Sequence, residues 1–264
     1  MDEIVRLGLA EDIGSGDVTS QVCVAEERQA SGYFLARESM VLAGTEVLGQ
    51  LYENPVLLHH DGDRLQDGDR IATVQGNARR LLERERLALN FLQRLSGVAT
   101  LASEFATAVE GTGCRVLDTR KTTPGLRRLE KAAAAAGGVT NHRMGLYDAI
   151  LIKNNHIAAA GGVRAALENA RQCGLPVEIE VRTREELQEA LDNGATHLLL
   201  DNLSRAEAAN WVRFVAGRAT IELSGGIDLK TVRSYAETGA DFVSAGAITH
   251  SARAMDISFR LELL

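Results

Sequence analysis

Short apolar runs alternate with stretches of helical periodicity between residues 110 and 250. The apolar runs are rich in Val, Ile and Leu and predict strands at 115–118, 148–152, 177–181, 197–201, 220–224 and 241–245. The stretches between them predict helices, including 163–173, 184–193, 205–216 and 229–238. Several of these end at a glycine, which adopts the left-handed conformation with little strain.

Strands and helices in alternation indicate parallel βαβ units, and they favour an α/β barrel of eight or fewer strands. An open, doubly wound sheet is the alternative. The Gly-x-Gly-x-x-Gly motif of dinucleotide-binding sheets is absent after the first predicted strand, which disfavours that fold.

The first 96 residues have a different pattern. Asp-Gly-Asp at 61–63 and 67–69, and Gln-Gly-Asn at 75–77, separate short alternating runs and predict turns between antiparallel strands. A long helix is predicted from about Ala78 to Leu95, and Ser96-Gly97 predicts a break between two parts of the chain. The alanine run at 132–136 predicts a helix that stops at Gly137-Gly138.

Every predicted strand of the second part ends in a polar residue or a glycine, and reactive groups of such barrels gather at the carboxyl ends of the strands. Glu178 and Glu180 alternate with apolar neighbours, so both carboxylates point to one face, towards the barrel interior. An unpaired charge is costly there, so a lysine, a metal or a sugar hydroxyl must satisfy them. A structural ion pair is the alternative, and it weighs more for Glu178 than for Glu180.

Two glycine-containing loops follow the last predicted strands, at Ser224-Gly225-Gly226 and at Gly246. Main-chain N–H groups in such loops can approach an anion, so the pair predicts a phosphate site, with plain tight turns as the alternative. Cations also collect at the strand ends and would repel one another without an anion among them. They are Arg120, Lys121, Arg143 and Lys153, with His142 nearby.

Composition excludes some classes of partner. The net charge of the 264-residue chain is -7, which argues against nucleic acid or an anionic membrane as the main partner. No run approaches the roughly 18 apolar residues of a membrane helix, and no secretory signal is visible at the N-terminus. Three distant cysteines in no metal-ligand spacing suggest thiols in a reducing cytoplasm. His59, His60 and His197 are interpreted as surface or structural residues, and His156 is left open.

Several motifs, in order along nearly the whole chain, resemble those of quinolinate phosphoribosyltransferase, also called nicotinate-nucleotide pyrophosphorylase (carboxylating). The most specific are Asp-Thr-Arg-Lys-Thr-Thr-Pro-Gly at 118–125 and Asn-His-Arg-Met-Gly at 141–145. Further matches are AEDIGSGDVT at 10–19, ERLALN at 85–90, LSGVAT at 95–100, LIK at 151–153, SGGI at 224–227 and GAITHS at 246–251.

This resemblance implies a type II phosphoribosyltransferase fold. An N-terminal α/β sandwich domain would occupy residues 1–96, joined by about 252–264, and an incomplete α/β barrel would occupy 97–251. It also implies a homodimer, or a higher assembly of dimers, with a shared active site. The substrates would be quinolinate and phosphoribosyl pyrophosphate, with Mg²⁺ as cofactor, and the products nicotinate mononucleotide, pyrophosphate and CO₂.

The resemblance also implies roles for single residues. Quinolinate would be bound by Arg120, His142, Arg143 and Lys153, and by Arg86 from the partner subunit. Lys121, Glu180 and Asp201 would lie near the ribose and pyrophosphate, with Glu180 and Asp201 able to hold the metal, directly or through substrate or water. The 5'-phosphate would be bound by Ser224, Gly225, Gly226, Gly246 and His250.

Four departures from the family pattern are expected from the resemblance. Asn154 stands where the family commonly has an acid, Val139 replaces a glycine, the alanine run at 132–136 is simpler than usual, and the family would have more of an N-terminal helix. Three other functions stay open at this point: a phosphoribosyltransferase that accepts nicotinate, a silent paralogue that only binds phosphorylated ligands, and a barrel aldolase or isomerase with Lys153 as Schiff-base nucleophile.

Overall fold

The structure is a computed structural model that describes residues 1–264. Two compact units are present: unit 1 comprises residues 1–103, 123–138 and 251–264, and unit 2 comprises 104–122 and 139–250. The sequence placed the boundary at 96/97, whereas the chain passes from one unit to the other at 103/104 and returns to unit 1 for residues 123–138.

The first elements belong to unit 1, apart from the end of the last helix. They are α1 (Glu3–Ile13), α2 (Val18–Cys23), β1 (Gln29–Ala36), β2 (Met40–Val41), α3 (Thr45–Leu51), β3 (Val56–Leu57), β4 (Arg64–Leu65), β5 (Arg70–Asn77) and α4 (Ala78–Ala108). The following elements are β6 (Arg115–Leu117), α5 (Arg127–Ala136), β7 (Ile150–Ile152), α6 (Asn154–Ala160), α7 (Val163–Arg171), β8 (Val177–Val181), α8 (Arg184–Asp192) and β9 (His197–Asp201). The last are α9 (Arg205–Val215), β10 (Thr220–Ser224), α10 (Val232–Ala236), β11 (Phe242–Ser244), α11 (Ala247–His250) and β12 (Ile257–Leu263).

Unit 1 is built on a four-stranded sheet in the order β12-β1-β5-β3, and a separate two-stranded sheet joins β2 to β4. β1 is the central strand and pairs antiparallel with both β5 and β12. Its residues alternate between buried and partly exposed, as expected for a strand with one face in the core. Phe34 is fully buried on that face and packs against Tyr52 and Phe259.

The long helix α4 continues through Ser96-Gly97 to Ala108, so it is longer than predicted. Ser96 is fully buried, and its hydroxyl accepts from the main-chain N–H of Ala43 at 3.1 Å. A Cβ at Gly97 would lie 1.8 Å from the main-chain oxygen of Arg253. Gly97 therefore allows another segment to approach the helix closely and does not end it. By contrast, α5 ends at Gly137 as predicted.

Unit 2 contains six parallel strands in the order β6-β11-β10-β9-β8-β7. Each strand from β7 to β10 pairs with the next strand along the chain, and β11 also pairs with β6. The sheet thus winds in one direction and lacks only a β6–β7 pairing, which makes it an incomplete barrel. The α/β barrel prediction is confirmed, and the doubly wound alternative is wrong because the strand order does not reverse.

Strands β8, β9 and β10 have the predicted bounds, whereas β6, β7 and β11 are shorter than predicted. The start of β7 shows why. Asp148 accepts from the main-chain N–H groups of Met144 and Gly145 at 2.6 and 2.9 Å, so it closes a turn instead of extending the strand. None of the helices combines the length and the apolar character that crossing a bilayer requires.

Candidate active site

The register of the sheet in unit 2 brings polar side chains into one row at the strand ends. Asp201 pairs with Ser224 across β9 and β10. Val181 pairs with Leu200 across β8 and β9, and Arg182 and Asp201 are the residues that follow this last pair. Paired residues of neighbouring strands point to the same face. Arg182, Asp201 and Ser224 therefore line the barrel side of the strand ends.

Glu180 lies within this barrel, with its side chain 2% exposed, and it is held by two cations. The Lys153 Nζ donates to Oε2 at 3.0 Å. The guanidinium of Arg182 donates to Oε1 through Nε at 3.2 Å and through Nη2 at 2.9 Å. Both oxygens of this buried carboxylate are thus satisfied by charge-assisted hydrogen bonds.

A second buried cluster contains His142, Glu178 and Glu222. The His142 Nε2 lies 3.3 Å from a carboxylate oxygen of each glutamate. Burial lowers the pKa of His142, but the hydrogen bonds that its ring donates to Glu178 and Glu222 outweigh burial and raise that pKa to about 9. Burial also raises the pKa of Glu178.

The Nε2 side of the His142 ring faces the two carboxylates, and its proton is shared between oxygens of Glu178 and Glu222. On the other side of the ring, Nδ1 lies 2.7 Å from the main-chain nitrogen of Arg143. Asp118, itself fully buried, fixes this segment by accepting from the main-chain N–H of His142 and the side-chain amide of Asn141.

Two guanidinium groups lie near each other beside this cluster. Burial and the neighbouring Arg120 cation lower the pKa of Arg143. The Nε of Arg120 is buried and has no hydrogen-bond partner, while Arg143 uses Nη1 to donate to the main-chain oxygen of Ala149 at 3.0 Å. A buried, unsatisfied cationic donor next to a second cation favours a bound anion.

The two glycine loops differ in what surrounds them. A Cβ at Gly246 would lie 2.8 Å from the Lys121 Cδ and 3.2 Å from the His250 ring, so both side chains close over this glycine. Gly225 and Gly226 have positive φ of +104° and +61°, and Gly225 lies against Asn202. Both loops follow adjacent strands, β10 and β11.

Thus the structure brings together, at one end of unit 2, all but one of the predicted site residues. The exception is Arg86, which is exposed on α4 in unit 1. His156 accepts from the main-chain N–H of Lys153 at 2.9 Å and therefore caps α6. His60 and His197 are exposed, and His59 forms an exposed ion pair with Asp63.

Two residues of the site were missed in the sequence, Arg182 and Glu222. Each could have been found by the alternation that located Glu180. Arg182 continues the inward series 178, 180, 182, and Glu222 is an acid between two apolar residues in the strand 220–224.

Comparison with known proteins gives consistent relatives over the whole chain. Residues 17–96 and 98–260 match the N-terminal and C-terminal domains of the family described as quinolinate phosphoribosyl transferase. The chain is 40% identical to a probable nicotinate-nucleotide pyrophosphorylase (carboxylating) of Bacillus subtilis (strain 168), over 96% of this chain and 90% of that protein. It is 39% identical to the mitochondrial quinolinate phosphoribosyltransferase (decarboxylating) 2b of Nicotiana tabacum, over 99% and 82%.

Among solved structures, NadC from Streptococcus pyogenes superposes with a TM-score of 0.94 at 38% identity, covering 99% of this chain and 96% of that one.

The cluster of His142, Glu178 and Glu222 predicts a pH-dependent stability. Its folded-state pKa is about 9, above the unfolded histidine value of about 6.5. The stabilisation is therefore complete below about pH 6.5 and is lost as pH rises through about 9. Glu222→Gln removes one of the two carboxylates that contact the imidazole ring of His142. The free energy of unfolding of this variant should fall less steeply between pH 7 and 9 than that of the wild type.

The slope for one proton is at most about 1.4 kcal/mol per pH unit, and denaturant titrations at pH 7, 8 and 9 measure it. Glu207→Gln, at an exposed residue of α9, serves as the control and should keep the wild-type slope. Equal slopes for Glu222→Gln and the wild type would contradict the assignment of the shared proton.

Proposed function

Because the chain belongs to the quinolinate phosphoribosyltransferase family, we propose that the strand ends of unit 2 bind both substrates of that reaction. The enzyme transfers the phosphoribosyl group of phosphoribosyl pyrophosphate to quinolinate with decarboxylation. The products are nicotinate mononucleotide, pyrophosphate and CO₂, and the reaction belongs to NAD biosynthesis.

The observation that carries the site assignment is the pair Arg120 and Arg143. The buried Nε of Arg120 lacks an acceptor, and burial together with the proximity of the two cations lowers the pKa of Arg143. A dicarboxylate would supply negatively charged acceptors for this pair, since one carboxylate accepts two parallel hydrogen bonds from one guanidinium. Lys153 is the third cation for quinolinate, and His142 supports the segment that carries Arg143.

The phosphate end of the sugar is assigned to the two glycine loops. At Gly246 the absence of a side chain lets Lys121 and His250 pack against the main chain, so both lie next to the N–H groups assigned to the phosphate. Ser224 and Gly226 supply the hydroxyl and main-chain N–H groups of the neighbouring loop. A helix or loop that presents several N–H groups to one point favours a phosphate there.

Glu180 and Lys153 change partners in this proposal. In the structure, Lys153 is bound to Glu180. When a quinolinate carboxylate binds Lys153, one oxygen of Glu180 becomes available for the ribose. A carboxylate at that position stabilises the positive charge that develops on C1 as the leaving group departs.

The chemical step needs no general base. The lone pair on the pyridine nitrogen attacks C1, and the C1–O bond breaks with its electrons going to pyrophosphate. The nitrogen is then quaternary, so the ring accepts the electron pair of the C–CO₂ bond, CO₂ leaves, and a proton takes its place on the carbon. Proximity and charge placement supply most of the acceleration.

Mg²⁺ is proposed as the cofactor, and the two predicted ligands differ in how well they fit it. Asp201 is partly exposed, and only Oδ2 is used, as the acceptor for the Asn202 amide at 2.8 Å. Its Oδ1 is the hard oxygen ligand that Mg²⁺ prefers. Both oxygens of Glu180 are occupied by cations, and the one that Lys153 would leave is assigned to the ribose, so Glu180 does not fit as a direct ligand. Bound at Asp201, the ion would neutralise charge on pyrophosphate.

The assembly and location are also proposals. Arg86 is exposed on a helix of unit 1, and its match to the family position supports a role in the partner's site within a homodimer or an assembly of dimers. Three free cysteines support a reducing cytoplasmic environment.

Turnover with two acceptors tests the function and the role of Arg120. Wild-type protein with phosphoribosyl pyrophosphate and Mg²⁺ should release CO₂ from quinolinate and should use nicotinate poorly. Arg120→Ala should lower kcat/KM for quinolinate by on the order of 100-fold or more, because it removes a fixed donor for the carboxylate. Labelled CO₂ release and nicotinate mononucleotide formation are the readouts.

The control is Arg213→Gln, an exposed residue of α9 paired with Asn210. Its activity should match the wild type, and all variants should keep the wild-type melting temperature. Preferred use of nicotinate without CO₂ would favour the nicotinate-dependent reaction, and ligand binding without product would favour the silent paralogue. An Arg120→Ala variant with near-wild-type turnover would refute the site assignment.

A shared active site predicts complementation between two inactive variants. Arg86→Ala and Lys153→Ala damage different parts of the same site, one from each subunit. A dimer of one subunit of each variant has one intact site, so co-refolding equal amounts should restore about a quarter of wild-type activity. If the mixture stays as inactive as its components, Arg86 does not act across a subunit interface.

A further inference from the structure

Arg182 follows β8 directly, two residues beyond Glu180 and on the same face. Its Nε and Nη2 both donate to one oxygen of Glu180, while Lys153 donates to the other. One edge of the guanidinium is therefore fixed by a buried acid, which restricts the orientation of the whole planar group.

The other edge of Arg182 is available to a ligand. Nη1 makes no hydrogen bond within the chain, and the side chain is 49% exposed. The carboxylate of Glu180 is shared between Arg182 and Lys153, so Arg182 does not have this acid to itself.

The position of Arg182 indicates which ligand group it meets. Arg182 and Asp201 directly follow the last pair of β8 and β9, Val181 and Leu200, and Asp201 pairs with Ser224, which opens the first glycine loop. Arg182 is thus two strands from that loop, roughly 10 Å at the usual strand spacing. A pentose anchored by its 5'-phosphate at the loop spans this row, so its C1 substituent comes towards β8.

We propose that Arg182 is a further residue of the phosphoribosyl pyrophosphate site, whose outer edge binds the pyrophosphate group while its inner edge holds Glu180. This rests on the proposed function, since it requires a sugar phosphate anchored at the glycine loops. A guanidinium fixed on one side is preorganised for phosphate oxygens. Charge accumulates on pyrophosphate as the C1–O bond breaks, so the cation stabilises the transition state as well as the bound substrate.

Quinolinate is the less suitable ligand for Arg182. Its assigned cations lie around the open seam of the barrel, with Arg120 after β6, Arg143 before β7 and Lys153 after β7. Arg182 lies further along the sheet, beside the acidic Asp201. In the row of Arg182, Asp201 and Ser224, it is the one cation that can face a pyrophosphate.

Calorimetry with inorganic pyrophosphate, with and without Mg²⁺, tests the proposal without requiring turnover. Arg182→Gln should weaken pyrophosphate binding by tenfold or more, the loss expected for one charged hydrogen-bonding group. Arg182→Lys keeps the charge but lacks the planar fork, so it should recover part of the affinity. Arg164→Gln is the matched control, because Arg164 is an exposed arginine in the same unit, paired with Glu168.

Steady-state kinetics separate the two substrates. Arg182→Gln should raise KM for phosphoribosyl pyrophosphate by a similar factor and lower kcat, with KM for quinolinate within twofold of the wild type. Pyrophosphate affinity within twofold of the wild type would overturn the proposal, and so would a loss confined to quinolinate. If the wild type itself fails to turn over quinolinate, the proposed function fails, whereas the calorimetric result still decides the role of Arg182.

Discussion

The site depends on one buried carboxylate, that of Glu180. It lies inside the barrel, 2% exposed, and holds Lys153 from β7 and Arg182 from β8. A charge buried there is tolerated only because both oxygens are paired. The same pairing holds two exposed cations at the mouth of the barrel, where the proposed site binds its two acidic substrates.

The register of the parallel sheet makes this arrangement possible. Pairing across β7, β8, β9 and β10 aligns residues of one face in layers. His142 with Glu178 and Glu222 forms one polar cluster, and Arg182, Asp201 and Ser224 form the row at the strand ends. A shift of one residue in any strand would turn its polar side chains out of the barrel, so the fold and the site are specified by the same hydrogen bonds.

The direction of the strand side chains and the position of the glycine loops were predictable, because periodicity is a local property of the sequence. The alternation in the strand 177–181 indicates which way Glu178 and Glu180 point, and the glycines after 220–224 and 241–245 indicate phosphate loops. The partners of a buried charge come from other strands, so they depend on register. His142 between two glutamates was not foreseen, and Arg182 was overlooked because a polar residue after a strand is usually solvated.

Gly97 shows why the end of helix α4 could not be predicted from the local sequence. A glycine within a run of helical periodicity signals either a helix end or a close contact, and only the position of Arg253 decides between them. That contact joins residues far apart in sequence, so no local pattern contains it. Helix α4 consequently extends well beyond the point at which its sequence predicted an end.

The most direct test of the role of Glu180 is to measure kcat and quinolinate affinity for Glu180→Gln, with kcat taken at saturating phosphoribosyl pyrophosphate and quinolinate. The amide keeps the shape of the side chain but removes the charge assigned to C1 of the ribose. We expect kcat to fall by on the order of 100-fold. Quinolinate should bind as tightly as before or more tightly, because Lys153 no longer has to leave a carboxylate. Unchanged kcat together with weakened quinolinate binding would contradict this role.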